Sequence, residues 1–390
     1  MYVRTLYSRQ PGRQAGGAPR APAYASHMLH ALRPLLLAVV ALSSVLAAEP
    51  GLPPSLDAFA RELSPLVAER LGITPKHYRQ LEPSLFHLAR EHADRLASRT
   101  REEQALLLVS LARFIDDQRD AAAAVSVIAP ERPLIGLLDP DRGLDPKEIT
   151  ALAAAYGTTA TIFKKDEPDE TIASVAAEFL AAVSGAAASE TPATIIVLGH
   201  GLPTQIQSYA IPCRQLAHAF LDGAARRPGE TTSIDLSHLI LVCDDCYSAD
   251  FSINLAAELE RGCRERRLTL ASLPYLIAGT NRDCVGHADF GEKFVPHFWR
   301  DVIELFYVRR PRPARITLRD FFEKVDNMMY GYGRATSVDR NGTVTYRLVD
   351  PELCQDPVIF VPLDASALTK LREILGLPAG TPLPRILDIG

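Results

Sequence analysis

Hydrophobic residues recur at intervals of three and four through three stretches near the start of the chain. These stretches cover residues 55–71, 83–100 and 102–125. The spacing is typical of amphipathic helices that bury one face. The pattern therefore predicts a helical N-terminal region over residues 48–130.

From residue 132 the pattern changes to short, continuous apolar runs that alternate with helical stretches. The runs lie at 132–140, 158–166, 191–201, 235–246 and 272–284. The helical stretches lie at 146–157, 169–185, 211–225, 251–263 and 291–306. Continuous apolar runs are typical of strands that are buried on both faces by crossover helices. Residues 131–308 are therefore predicted to form an α/β domain, an open, mostly parallel sheet sandwiched by helices.

The last part of the chain, residues 309–390, has a different pattern. A basic, proline-rich segment (309–315) precedes a predicted helix at 316–333. Asn341-Gly342 lies between two alternating runs, which predicts a β-hairpin. A final strand (356–364) and a short helix (365–376) complete this extension, which we expect to pack on the α/β domain.

The N-terminus has the organisation of a secretory signal peptide. A short basic region containing Arg33 precedes an apolar run from Leu35 to Ala48, with small residues near a cleavage site at Ala47/Ala48. The run is short for a membrane span. We therefore predict that residues 1–47 are removed, with Met28 as an alternative start, and that the mature protein is secreted or periplasmic with no stable membrane span.

Composition narrows the functional classes. The net charge of −5 argues against binding to nucleic acid. No glycine-rich phosphate loop is present, and the two Gly-x-Gly occurrences lack the third glycine of a dinucleotide fingerprint. The sequence thus predicts no cofactor and no metal. Six cysteines in a chain of 390 residues are too few for a disulfide scaffold, although an exported protein could oxidise one pair.

Polar residues follow the predicted strands at the edge where an open parallel sheet places its chemistry. They are Asp139, Asp141, Arg142, Lys164, Lys165, His200, Gly201, Asp244, Asp245, Cys246, Thr280, Asn281 and Arg282. Among them, His200 and Cys246 fit a catalytic pair, because a thiol needs a neighbouring base to become a nucleophile at neutral pH. Cys246 also precedes a helix, whose dipole would favour the thiolate. The backbone N–H groups of Gly201 and Cys246 could stabilise a developing oxyanion.

The segments Gly199-His200-Gly201 and Asp244-Asp245-Cys246-Tyr247-Ser248-Ala249 resemble motifs of the caspase-like superfamily of cysteine peptidases, most closely the metacaspase branch. The resemblance covers residues 132–305, and the two motifs are 46 residues apart, close to the spacing in caspases. The sequence departs from the family pattern at two positions. Ala249 replaces a usual glycine, and Asp245 replaces a usual small residue.

The resemblance implies a His200/Cys246 dyad, a peptide or protein substrate, and an acyl-enzyme formed on Cys246. It also implies that Asp244 receives a basic side chain on the residue before the scissile bond (P1). Asp141 could share that pocket. Arg142 could instead bind an acidic P1 residue, and we favour the basic preference.

Other interpretations stay open from the sequence. The chain could be an inactive homologue that serves as a binding module. Cys243 and Cys246 could form a thiol–disulfide pair of the Cys-x-x-Cys type. Zinc could bind to His200, His238, Cys243 and Cys246, although this spacing matches no common zinc pattern.

Overall fold

The computed structural model describes residues 101–140, 145–227, 232–280, 288–290, 294–325, 334–338, 344–348 and 357–389, together with scattered positions between 69 and 100. All of these residues belong to one compact unit, Leu52–Gly390. The predicted signal peptide and most of the predicted N-terminal helices lie outside the described residues. The last of those helices is observed at Arg101–Ala122.

Helices and strands alternate along the central part of the chain. The helices are α1 (Arg101–Ala122), α2 (Pro146–Ala155), α3 (Ile172–Ala188), α4 (Cys213–Ala224), α5 (Ser248–Glu265), α6 (His297–Ile303), α7 (Leu318–Asp320) and α8 (Ala365–Leu375). The strands of the central sheet are β2 (Leu134–Leu138), β3 (Ala160–Phe163), β4 (Ala193–Leu198), β9 (Leu239–Asp244), β11 (Tyr275–Ala278), β17 (Val358–Pro362) and β18 (Ile386–Asp388).

Shorter strands form small sheets outside the central one. They are β1 (Ser126–Ile128), β5 (Gly201–Leu202), β6 (Gln205–Ile206), β7 (Ile211–Pro212), β8 (Ser233–Asp235), β10 (Thr269–Ser272), β12 (Ala288–Phe290), β13 (Phe294–Pro296), β14 (Ile316–Thr317), β15 (Arg334–Val338) and β16 (Val344–Leu348). A 3-10 turn covers Gln207–Tyr209, and π-helical turns cover Glu304–Val308 and Phe321–Val325.

The central sheet has seven strands in the order β18-β17-β11-β9-β4-β2-β3. The five strands from β11 to β3 pair in parallel, and β17 and β18 join in antiparallel orientation. The α/β class and the mostly parallel sheet are therefore confirmed. The β15–β16 hairpin and the strand β17 also appear where the sequence predicts them. The edge strand β18 has no counterpart in the prediction.

Helices cover the sheet on two faces. Buried residues of α3, α4 and α5 pack on one face, and those of α1, α2, α6 and α8 pack on the other. The helix after β2 and the helix after β3 thus lie on opposite faces. The strand order also reverses between β2 and β4, so the carboxyl ends of these two strands border the topological switch point, where open α/β sheets bind ligands.

Local sequence explains several helix boundaries, and tertiary structure shifts others. The Asp145 side chain accepts a hydrogen bond from the Lys147 N–H and so caps α2, and Pro146 occupies the first turn of that helix. Helix α3 begins after Thr171 and continues past Gly185, so the predicted bounds of 169–185 are wrong at both ends. The predicted helix 291–306 is also wrong in its first part, because β13 occupies residues 294–296 and α6 begins at His297.

Candidate active site

His200 and Cys246 follow neighbouring parallel strands at the same distance from the strand ends. The register pairs Leu198, the last residue of β4, with Asp244, the last residue of β9. Each candidate lies two residues further along its strand direction. Because paired strands are about 4.8 Å apart, the two loops that carry these residues leave the sheet from adjacent strand ends.

A second contact joins the two strand ends just beyond this register. A side-chain carbon at Gly201 would lie 2.7 Å from the carbonyl oxygen of Cys246 and would overlap the carboxyl group of Asp245. Glycine is therefore required at this position by close packing against the cysteine turn. The residue after His200 therefore lies against the backbone of Cys246.

Accessibility separates Cys246 from the other cysteines that the structure describes. Cys213, Cys243 and Cys263 are buried, whereas Cys246 is partly exposed. His200 is partly exposed as well. Burial raises the pKa of Cys213 to about 12 and raises the pKa of Cys243 well above its ordinary value, with further contributions from nearby acidic groups. These two thiols are poor nucleophiles, because the thiolate is the reactive form.

The loop that carries His200 is fastened to the end of β2. The Ser208 hydroxyl donates a hydrogen bond of 2.5 Å to Asp139 and accepts one of 3.0 Å from the His200 N–H. The Tyr209 hydroxyl donates to the Leu138 carbonyl at 2.6 Å. Gly199 allows this arrangement, because a side-chain carbon there would lie 2.9 Å from the Ser208 hydroxyl.

Strand pairing aims the Gly201 N–H away from the rest of its own loop. Gly201 pairs with Ile206, and the Gln207 N–H donates to the His200 carbonyl at 2.8 Å. This bond flanks the Gly201–Ile206 pair, which makes it a non-hydrogen-bonded pair of the antiparallel ladder. The Gly201 N–H therefore points away from β6. That orientation is compatible with the predicted oxyanion donor.

The turn that carries Cys246 is fastened to the end of β11. The Ser248 and Ala249 N–H groups at the start of α5 donate to the side-chain and backbone oxygens of Thr280, at 3.0 and 3.2 Å. The Thr280 hydroxyl in turn donates to the Asp245 carbonyl at 3.1 Å. The helix after Cys246 thus begins at Ser248, three residues earlier than the predicted bound. It keeps Cys246 next to a helix N-terminus, as expected.

Tyr247 has a left-handed backbone conformation with a φ of 59°. Such a conformation is unfavourable for a residue with a large side chain, and residues that adopt it are concentrated at functional sites. Tyr247 connects the nucleophile candidate directly to α5. Strain therefore occurs at the point where the strand turns into the helix.

Asp244 is enclosed below the cysteine turn. Its side chain is 1% exposed, and Oδ2 accepts a hydrogen bond of 2.9 Å from the Trp299 N–H at the start of α6. One carboxylate oxygen is thus already engaged with a helix N-terminus. The role of Asp244 toward a basic P1 side chain stays a prediction.

The remaining candidates are distributed as follows. Asp141 and Arg142 lie outside the described residues, in the connection between β2 and α2. His238 precedes β9, at the opposite edge of the sheet from Cys246, and its ring contacts Arg227. The described residues contain no group of three or more side chains arranged to bind a metal ion. The interpretation that His238 and Cys246 bind one zinc ion is therefore wrong.

Sequence reasoning missed the residues that fasten the two loops. Asp139 and Thr280 were expected at strand ends without a specific role, and Ser208 and Tyr209 were not singled out. Their signal in the sequence is weak, because each acts on a loop that is distant along the chain. Only the strand order brings Ser208 to Asp139 and Thr280 to Ser248.

The comparisons with known proteins do not assign the chain to a family. No family model matches the sequence, and no curated protein matches it. Within the part of the chain that the structure describes, no helix is both long enough and apolar enough to span a membrane.

Proposed function

We propose that this protein is a cysteine peptidase in which His200 and Cys246 form the catalytic dyad. The observation that carries the proposal is the common level of the two residues beyond the paired ends of β4 and β9. His200 would act as the base and Cys246 as the nucleophile that attacks the scissile carbonyl. The Gly201 N–H would donate to the oxyanion.

Three further features support this assignment. Cys246 is the partly exposed thiol among otherwise buried described cysteines. Both loops are fixed by side chains from neighbouring strands, which favours the pre-organisation that nucleophilic catalysis needs. The switch point between β2 and β4 lies beside His200, so the connection that contains Asp141 and Arg142 starts next to the dyad.

The substrate preference is a finer part of the proposal. A peptide with a basic P1 residue would use Asp244, with Asp141 as a second acidic group. The Trp299 N–H already donates to Oδ2 of this carboxylate. Arg142 supports the opposite preference, for an acidic P1 residue.

The redox alternative has less support. Cys243 lies within β9, is fully buried, and has a pKa raised well above its ordinary value. A thiol–disulfide oxidoreductase needs an accessible, low-pKa thiol in its Cys-x-x-Cys motif. Cys246 alone meets the requirement for access.

Hydrolysis of reporter peptides with Arg, Lys or Asp at P1 tests the proposal. We expect Cys246→Ala to reduce kcat/KM by about 10³-fold or more, while Cys243→Ala retains activity as the matched cysteine control. Activity that survives in Cys246→Ala contradicts the dyad. Equal rates on Arg and Asp peptides contradict the role of Asp244.

Two outcomes separate the alternatives. An inactive homologue would fold normally and hydrolyse none of the peptides. An oxidoreductase would reduce insulin disulfides, and Cys243→Ala would abolish that reaction.

A further inference from the structure

Asp245 is a buried acid for which the described residues around it provide no hydrogen-bond partner. Its side chain is 3% exposed, and neither carboxyl oxygen has a hydrogen-bond partner among the described residues. Buried polar groups are usually paired, and an unpaired buried carboxylate is strongly unfavourable. The simplest state of this group in the folded protein is therefore the neutral, protonated acid.

The carboxyl group lies at the junction of the two loops that carry the candidate dyad. It packs against Gly201, at the position that a side-chain carbon of residue 201 would occupy, and Cys246 is the next residue along the chain. The Cys246 carbonyl is 2.7 Å from the same position. The Asp245 side chain thus fills the space between the backbone of the His200 loop and the backbone of the cysteine turn.

The titratable groups that surround Asp245 reinforce its neutral state. Among the described residues they are Cys243 and Asp244 at the end of β9, the strand that precedes Asp245, and Cys213 at the start of α4. Cys246 is the next residue along the chain, and His200 precedes Gly201. Burial, followed by the charge of Asp244, raises the pKa of Asp245 well above its ordinary value. Asp245 also raises the pKa of Cys243 and Cys213. Among the described residues, burial and Asp244 are the causes that act on the pKa of Asp245, and neither involves Arg or Lys.

We propose that Asp245 is a positioning residue that carries a proton in the active state and separates the two loops at the distance that the dyad requires. Loss of this proton to water would leave a buried carboxylate beside Gly201 and the Cys246 thiolate. That anion would disfavour the thiolate because the two charges are alike. It would also attract water or the Gly201 N–H, which would displace the backbone of the His200 loop. The site would therefore lose activity as the pH rises.

Asp245→Asn tests the inference, because a carboxamide has nearly the same shape as a neutral carboxyl group and cannot ionise. We expect kcat/KM of this variant at pH 6 to stay within about threefold of the wild type, and its alkaline limit to move up by about one pH unit or more. Asp245→Ala removes the spacer and should lose activity about tenfold or more at every pH. Asp169→Asn, at an exposed turn, is the matched control and should leave the profile unchanged.

The pH dependence of protein stability tests whether Asp245 is protonated, and it does not require peptidase activity. The unfolded chain releases this proton above about pH 4, whereas the folded chain retains it up to its raised pKa. The stabilisation is thus complete below pH 4 and is lost as the pH rises toward the folded pKa. The denaturation midpoint of Asp245→Asn should accordingly increase relative to the wild type between pH 5 and pH 9. A constant difference over that range contradicts a protonated Asp245.

Alkylation of Cys246 by iodoacetamide separates this inference from the proposed function, on which the positioning role rests. We expect Asp245→Asn to react faster than the wild type at alkaline pH, since no carboxylate then opposes the thiolate. If the wild type hydrolyses no peptide but the alkylation and stability differences appear, the peptidase proposal fails and the proton on Asp245 stands. If peptides are hydrolysed and the two proteins have the same alkaline limit and alkylation rates, the inference about Asp245 is wrong.

Discussion

The two ends of the strands in the central sheet differ in the buried polar groups that they carry. At the edge where the strands begin, Arg132 is 6% exposed and donates to the carbonyls of Ala193 and His238 at 2.9 and 3.0 Å. Thr194 is fully buried and donates to the Val127 carbonyl at 2.6 Å. The buried polar groups named here all have partners, so this edge contributes to stability.

The edge where the strands end keeps an accessible thiol, a strained residue and an unpartnered acid. Cys246 is partly exposed, Tyr247 has a left-handed backbone conformation, and Asp245 has no hydrogen-bond partner within the part of the chain that the structure describes. Natural sequences depart from local rules mainly at sites where function requires it. If the proposed function is correct, stability and chemistry are separated along the strands, with some 20 Å of buried strand between them.

Among the substitutions that test this comparison, the replacement of Arg132 should have the largest effect on stability. Burial lowers the pKa of this guanidinium to about 10, so it is charged at neutral pH. Arg132→Met removes two charge-assisted hydrogen bonds from buried carbonyls and should reduce the free energy of unfolding by about 3 kcal/mol. Denaturant unfolding measures this cost, and kcat/KM of the folded fraction should stay unchanged.

Arg315 provides the control for that substitution. Its ion pair with Glu131 is exposed, and its side chain is 54% exposed. Arg315→Met should cost less than about 0.5 kcal/mol. A large loss of activity per folded molecule in Arg132→Met would contradict the separation of stability and chemistry between the two ends of the strands.

The loss of Ser208 should have an intermediate effect, on activity more than on stability. Ser208→Ala removes the hydroxyl that links Asp139 to the His200 N–H, so the His200 loop should shift from the end of β2. We expect kcat/KM to fall by about tenfold, equivalent to about 1.4 kcal/mol. Steady-state hydrolysis measures this change.

Ser110 is the matched serine. Its hydroxyl donates to the Leu106 carbonyl on the exposed side of α1, far along the chain from either loop. Ser110→Ala should leave kcat/KM unchanged. Equal activity in the two variants would show that the Asp139–Ser208 link does not position His200.

The smallest effect concerns the strain at Tyr247. Glycine adopts its φ of 59° without steric cost, whereas a β-branched residue there is strongly disfavoured. We expect Tyr247→Val to be less stable than Tyr247→Gly by about 1 kcal/mol or more. Thermal unfolding of the two variants measures the difference, and equal stability would mean that the turn relaxes out of the left-handed conformation.

Much of the architecture follows from the sequence pattern. The five apolar runs appear as the parallel strands β2, β3, β4, β9 and β11, because continuous burial on two faces leaves a direct signature in composition. Because these apolar runs also mark where each strand ends, the sequence predicts that His200 and Cys246 follow strand ends. The signal peptide and the residues Asp141 and Arg142 lie outside the described residues, so those predictions stay untested.

Other features were missed because their causes are distant along the chain. The edge strand β18 is three residues long and depends on β17 for its pairing. Helix α6 begins at His297 and not earlier. In its first turn, the Asp244 carboxylate accepts a hydrogen bond from the Trp299 N–H. Periodicity indicates which residues are buried, but it does not indicate which distant group fixes the first residue of a helix.

The sequence alone determined the class of the fold and the candidate pair His200 and Cys246, since apolar periodicity and residue chemistry are local properties. Only the tertiary structure decided that the strands that precede His200 and Cys246 are direct neighbours in register. It also decided that Asp245 is enclosed between their loops with no hydrogen-bond partner among the described residues. Strand order, register and desolvation depend on groups that are far apart in the chain. They are settled only when the sheet is assembled and water is excluded from its edge.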